Sequence, residues 1–271
     1  MKDFETEGFL GAEADEIALW FARQNADLHT AYRELNRIAR GHLRDKAVEQ
    51  KLQPMLCALY FGRLLSLFEA VYLLACRGMR ADTETLLRTM TEINLKLHYA
   101  ATSHAAATSL VLSEEHERLR LLRNAERHPN KRTEKEIDAH RELIAAIERD
   151  ITANKTPRLT TKDIAKALGR EWEYEIKYAM LCQATHGGPR DFHQNMQQGV
   201  EGKIEKLLWG PEHAETPLHL ATAMDFLLQG MTAPPFLCLS ADSPEYKLWQ
   251  SRLRQIMIPC AVDSAPANGE P

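Results

Sequence analysis

The run from Pro54 to Cys76, "PMLCALYFGRLLSLFEAVYLLAC", is apolar almost all the way round, and no other stretch constrains the fold so strongly. At 100° per residue its large side chains reach every face, so it predicts a central helix covered on several sides by other elements. Proline is tolerated in the first turn, and Gly78 suits the position after the C-terminus.

The rest of the chain supplies amphipathic partners for such a helix. From Asp15 to about His42, Ile17, Phe21, Leu28, Tyr32, Leu35 and Ile38 recur at steps of three, four and seven, which predicts one long amphipathic helix. Asp82 is the expected cap of a helix running to about Tyr99. On it Leu86, Met90, Ile93 and Leu97 fall on one side, while Arg88, Glu92, Leu95 and Tyr99 fall on the other.

Residues 113–155 are charge-rich and read as a protruding helical hairpin that turns at "HPNKR". "TEKE" from Thr133 is an expected capping box, and Ile137, His140, Ile144, Ile147 and Ile151 form a heptad-like seam. A short helix capped by Thr160 or Thr161 follows. Next comes a helix ending at Gly187 and Gly188, then one capped by Thr216 with Pro217 at its first position, and a last one in "SPEYKLWQSRLRQIM". No strand alternation rises above the helical signal. The expectation is an all-α bundle, a single helical domain over 1–258 with a flexible, disordered C-terminal tail at 259–271.

With 44% hydrophobic residues in 271, the chain can bury its own core. The formal net charge of -4 gives no global pull toward nucleic acid or anionic membrane, so binding to either needs a local patch. Five cysteines scattered singly, without a CxxC pair, read as small buried hydrophobes in a reducing compartment. The acidic N-terminus lacks the regions of a signal peptide, and no apolar stretch is expected to cross a bilayer. The expected location is the cytoplasm.

Several motif-like stretches carry no chemistry. "TTKDIAKALG" imitates the first half of a helix-turn-helix, but "REWEYEIKYAML" brings Glu171, Glu173 and Glu175 where a recognition helix must meet phosphates, which argues against sequence-specific DNA reading. "EIDAH" and "ETPLH" hold one residue too many for the ExxH pairs of di-iron bundles, and no metal or cofactor is expected. The Arg-to-His spacing of the HEPN helical ribonucleases occurs at Arg23 to His29, Arg37 to His42 and Arg123 to His128, about as often as chance gives. Arg123 and His128 resemble it best, because Asn124 follows the Arg.

Tyr174, Tyr178, Cys182 and His186 recur every four residues along "EWEYEIKYAMLCQATHGG", which places them on one slowly drifting helix face. A histidine at a helix C-terminus is also a common dipole-compensating cap. The order of elements resembles a bacterial family of all-helical proteins, the domain of unknown function numbered fifty-six seventy-seven. There a central apolar helix ending in "RG" is followed by an R-x-x-x-E helix and, much later, by a Tyr-rich helix ending at a His. The stretches "LLACRG", "LLRTMTEINLKLHYA" and "IAKALGREWEYEIKYAMLCQATHGG" carry the resemblance between about Leu56 and Gly188. Where the family has Ser, and often Pro after the His, this chain has Ala184, Thr185 and Gly187.

The resemblance singles out Arg88, Glu92, Tyr178 and His186, and it implies no settled activity. Physically, Glu92 orienting Arg88, with His186 as acid or base, suits metal-independent RNA cleavage. The same residues as a buried hydrogen-bonded set instead fix helix register. The leading expectation is therefore a non-catalytic binding or oligomerisation module, with a second copy of the chain as partner. A HEPN-like ribonuclease or defence toxin acting on RNA is the alternative, with Arg123 and His128 as its other candidate pair. A small-ligand or nucleotide sensor is the third reading.

Overall fold

The computed structural model describes residues 4–44, 50–128, 134–155, 157–186, 196–199, 203–207, 209–233 and 239–263. Apart from one small hairpin of strands, the regular elements of these residues are helices. At the centre lies α4 (Leu52–Ala75), with Cys57, Phe61, Leu64, Phe68 and Val71 buried along one stripe and Ala58, Leu65 and Leu67 buried to either side of it. Around it pack α3 (Ala26–Arg44), α5 (Arg80–Thr102), α6 (His104–Arg127) and α10 (Thr216–Thr232). By length and composition α4 is apolar enough to span a bilayer, contrary to the sequence reading. Here it is the core helix that the other elements cover.

Two glycines allow this packing. Gly78 has φ +75°, and a Cβ there would lie 2.6 Å from the Glu212 amide nitrogen. Only glycine both turns the chain after α4 and lets the loop before α10 dock on it, with Glu212 N donating to Gly78 O at 3.0 Å. At Gly230 a Cβ would meet Leu64 at 2.4 Å, so α10 approaches α4 closely at that point.

The expected single helix from Asp15 to His42 is divided into α2 (Ala12–Gln24) and α3 at Asn25. Asn25 adopts φ -119°, ψ 46°, and its side-chain amide donates to Phe21 O at 3.1 Å, competing with the helical ladder. Before α2 lie α1 (Phe4–Glu7) and a short 3-10 turn (Gly8–Leu10). Phe21, Leu28, Tyr32 and Leu35 are buried as the periodicity requires. Tyr32 stacks on Phe68 with ring centroids 3.8 Å apart and donates its hydroxyl to Phe68 O at 2.6 Å.

α5 begins at Arg80, three residues before the start that an Asp82 cap implies, so Asp82 lies in its first turn and does not cap it. Both of its faces are covered: Leu87, Met90, Leu95 and Leu97 are all buried. α6 and α7 (Glu134–Ala153) form the expected hairpin, and Leu119, Ile144 and Ile147 are buried in its own small cluster. The "HPNKR" turn beyond His128, and Thr133 of the expected capping box, lie outside the described residues.

Thr160 caps α8 (Thr161–Ala167) in a full capping box with Asp163. Gly169, at φ +66°, follows that helix. The next helix is not regular, because Glu173–Tyr178 form a π-helix that leads into α9 (Ala179–His186). Two short antiparallel strands, β1 (Met196–Gln198) and β2 (Ile204–Leu207), come next, where the sequence showed no strand alternation. Glu215 occupies the cap position of α10, and Thr216 is the first helical residue. Finally α11 (Pro244–Asp263) extends past 258, so its last turns occupy the beginning of the expected tail, and 264–271 lie outside the described residues.

Candidate functional site

Arg88 and Glu92 stand one turn apart on α5 and face the π-helix and α9. Arg88 Nε donates to Cys182 Sγ at 3.2 Å, and its Nη2 donates to the Tyr178 hydroxyl and lies 3.2 Å from Glu92 Oε1. The Tyr178 hydroxyl in turn donates to Glu92 Oε1 at 2.5 Å. The guanidinium carbon also sits 4.7 Å from the centroid of the Tyr178 ring. Three of the four residues singled out by the sequence therefore meet, joined by Cys182 of the same four-residue series. His186 closes α9, and its side chain lies outside the described residues.

The π-helix explains how Tyr178 reaches this position. Arg170 holds Glu173 with paired hydrogen bonds of 2.6 and 2.7 Å, and Glu173 is buried. Glu173 and Tyr178 are five residues apart, and both make inward contacts. A regular α-helix would set them 140° apart, whereas the i to i+5 bonding of a π turn brings such residues toward one face. Tyr174 then stacks against Tyr178 with centroids 5.1 Å apart. On the other side Lys177 lies 4.8 Å over the Trp172 ring and 3.7 Å from Asp225 of α10.

Burial, followed by the hydrogen bond to Glu92, pushes the Tyr178 phenol well above its ordinary range, so it is a donor at neutral pH. Burial acts to lower the Arg88 guanidinium, but the bond to Cys182 and the Glu92 charge outweigh it and raise it. In chemical terms this is a locked set: a phenol and a guanidinium sharing one carboxylate oxygen.

A second cluster, unseen in the sequence, occupies the start of α5. Arg80 bonds Glu84 at 2.8 Å, Glu212 at 2.6 Å and Glu215 at 3.0 Å. His219 Nε2 lies 3.3 Å from Glu84 and 3.7 Å from Glu215. Burial acts to raise the Glu84 carboxyl, yet the bonds from His219 and Arg80 win and hold it below its ordinary value. Glu84, Glu215 and His219 offer ligand atoms within 4.8 Å of one another, the geometry of a candidate cation site. The cation that meets these carboxylates is Arg80. The readable signal was the pair of i,i+4 spacings, Arg80 to Glu84 and Glu215 to His219, the latter set aside as one residue too long.

A third network joins α5, the π-helix and α10. Gln229 Oε1 accepts from Asn94 at 3.2 Å and from Arg170 at 2.5 Å, while Gln229 Nε2 donates to Asp225 at 2.7 Å. Beside it, burial and then the charge of Arg170 push His98 down to about 4, which keeps it neutral.

The alternative pair Arg123 and His128 is not assembled. Arg123 bonds Glu148 across the hairpin at 2.6 Å, and His128 is exposed beyond the end of α6. Arg37 and His42, both within α3, are 140° apart around the helix. Cys57 and Cys76 are buried as expected, with burial pushing each thiol up to about 11, whereas Cys182 is only partly buried.

The comparisons with known proteins agree with the element order. A family model described as a family of unknown function, DUF5677, matches residues 55–204, more than half of the chain. No curated protein and no solved structure matches it. The matched span holds both Arg-Glu pairs of α5 and the π-helix, and it stops before Glu212, Glu215 and His219.

Proposed function

We propose that this chain, which belongs to the DUF5677 family of unknown function, is a non-catalytic helical docking module that pairs with a second copy of itself through the outer side of its π-helix. One observation carries the reading. Trp172, Ile176 and Met180 recur every four residues and are 52%, 56% and 68% exposed, on a segment whose inner side is fixed by Glu173 and Tyr178. Large apolar side chains at helical spacing, facing water on a pinned segment, suit a partner helix. A twofold pairing would bury each set against its own copy. π turns are also frequent at functional positions.

The ribonuclease alternative requires Arg88 to be available to a developing phosphate charge, and its Nε and Nη2 are engaged by Cys182, Tyr178 and Glu92. A ligand sensor calls for a closed, mostly apolar pocket.

Sedimentation over a protein concentration series tests the docking reading. Wild type should form a concentration-dependent dimer, while Ile176→Arg with Met180→Arg should remain monomeric with an unchanged thermal melt. A monomeric wild type, or a dimer untouched by the double variant, would overturn it.

A further inference from the structure

We propose that the exposed arginine row of α3 is a docking groove for the phosphodiester backbone of a single-stranded nucleic acid. Arg33, Arg37, Arg40 and Arg44 fall within about 60° of one another at 100° per residue, and together with Asn36 and Gly41 they line an open groove of about 700 Å³. This is the local patch that the net charge of -4 makes necessary for polyanion binding.

The positive charge of the row is carried by Arg33 and Arg37. Glu69 holds Arg40 by two bonds of 2.5 and 2.7 Å, and it also accepts from Asn36. Glu34 is turned to Arg252 of α11 at 2.7 Å. Neither Arg33 nor Arg37 makes an ion pair with a described carboxylate. Burial and then the Arg33 charge lower His29, one turn earlier, in keeping with a positive field along this face.

The shape selects the ligand. From Arg33 to Arg44 the row extends about 16 Å at 1.5 Å per residue, long enough to meet a few successive phosphates of one strand. A small anion would call for guanidinium groups converging on one point, and these are strung along a line. A membrane surface would call for exposed apolar side chains beside the cations, and the groove is lined by arginines, Asn36 and Gly41 alone. This surface lies on α3, apart from the Trp172 stripe, so the two proposals stand or fall separately.

The test is fluorescence anisotropy with a labelled 20-nucleotide single strand and the full chain, at 50 and 200 mM salt. Two to three phosphate contacts give a log-log salt slope of about -1.4 to -2, or roughly 7- to 16-fold weaker binding across that range. Arg33→Gln with Arg37→Gln should weaken binding at least tenfold and flatten the slope by about 1 to 1.5. Both side chains are exposed, so an unchanged thermal melt is expected and is checked first. Absence of binding by wild type at 50 mM salt, or equal binding by the double variant, overturns the proposal. So does binding to vesicles of anionic phospholipid that the oligonucleotide does not displace, or competition by orthophosphate at equal phosphate concentration.

Discussion

The helix α5 carries the pattern R-x-x-x-E twice, as Arg80 with Glu84 and as Arg88 with Glu92, and the two copies serve different ends. At the first, one guanidinium meets three carboxylates brought from α5, the loop before α10 and its cap. At the second, one guanidinium meets one carboxylate, a phenol and a thiol brought by the π-helix and α9. An i,i+4 ion pair on an isolated helix is worth only a few tenths of a kcal/mol. What each copy holds together depends on the element packed over it. The first fastens the chain after α4 to the start of α10, and the second fastens the π-helix to α5.

The largest effect is expected at Arg80. Arg80→Ala strands Glu84, Glu212 and Glu215 beside one another and should cost about 2 to 3 kcal/mol in urea unfolding. That is below the range for a fully buried pair, because Glu212 and Glu215 are partly solvated. Gly78→Ala should cost about 2 kcal/mol, since it loads a left-handed position and pushes a Cβ onto the docked loop. If Gly78→Ala melts like wild type, the loop is not what positions the first cluster.

Tyr178→Phe should cost about 1 kcal/mol, the worth of a donor lost while the Arg88-Glu92 pair remains. A loss as large as that of Arg80→Ala would place the greater share of α5 anchoring at the second cluster. Acid unfolding sharpens the contrast. Glu84 has a lowered folded-state pKa, so its stabilisation is complete above its unfolded value of 4.5 and is lost as pH falls through the folded one. Wild type should therefore weaken more steeply between pH 5 and 3 than Arg80→Met does. The smallest effect belongs to Cys182→Ala, a few tenths of a kcal/mol, because sulfur is a weak acceptor.

Legibility in the sequence followed the range of the interaction. The core helix, the hairpin seam of Ile144 and Ile147 and the Thr160 cap are local patterns, and each forms where its residues predict. Asn25 shows how one side-chain amide divides a stripe whose apolar spacing continues without interruption. The π-helix was hidden because its cause is tertiary: Glu173 is drawn inward by an arginine that Gln229 also holds, far along the chain. For the same reason Arg88 and Glu92 stood out through their resemblance to a family, whereas the identical pattern at Arg80 and Glu84 depends on Glu212 and His219, which no local spacing connects to them.

The hairpin has a consequence for timing. α7 rests on α6 through Leu119, Ile144 and Ile147, and its outer surface is charged and exposed. Opening it requires separating three buried side chains, whereas opening α4 requires dismantling the whole bundle. Backbone amides of α7 should thus trade their hydrogens for deuterium through local opening, long before those of α4, which wait for global unfolding.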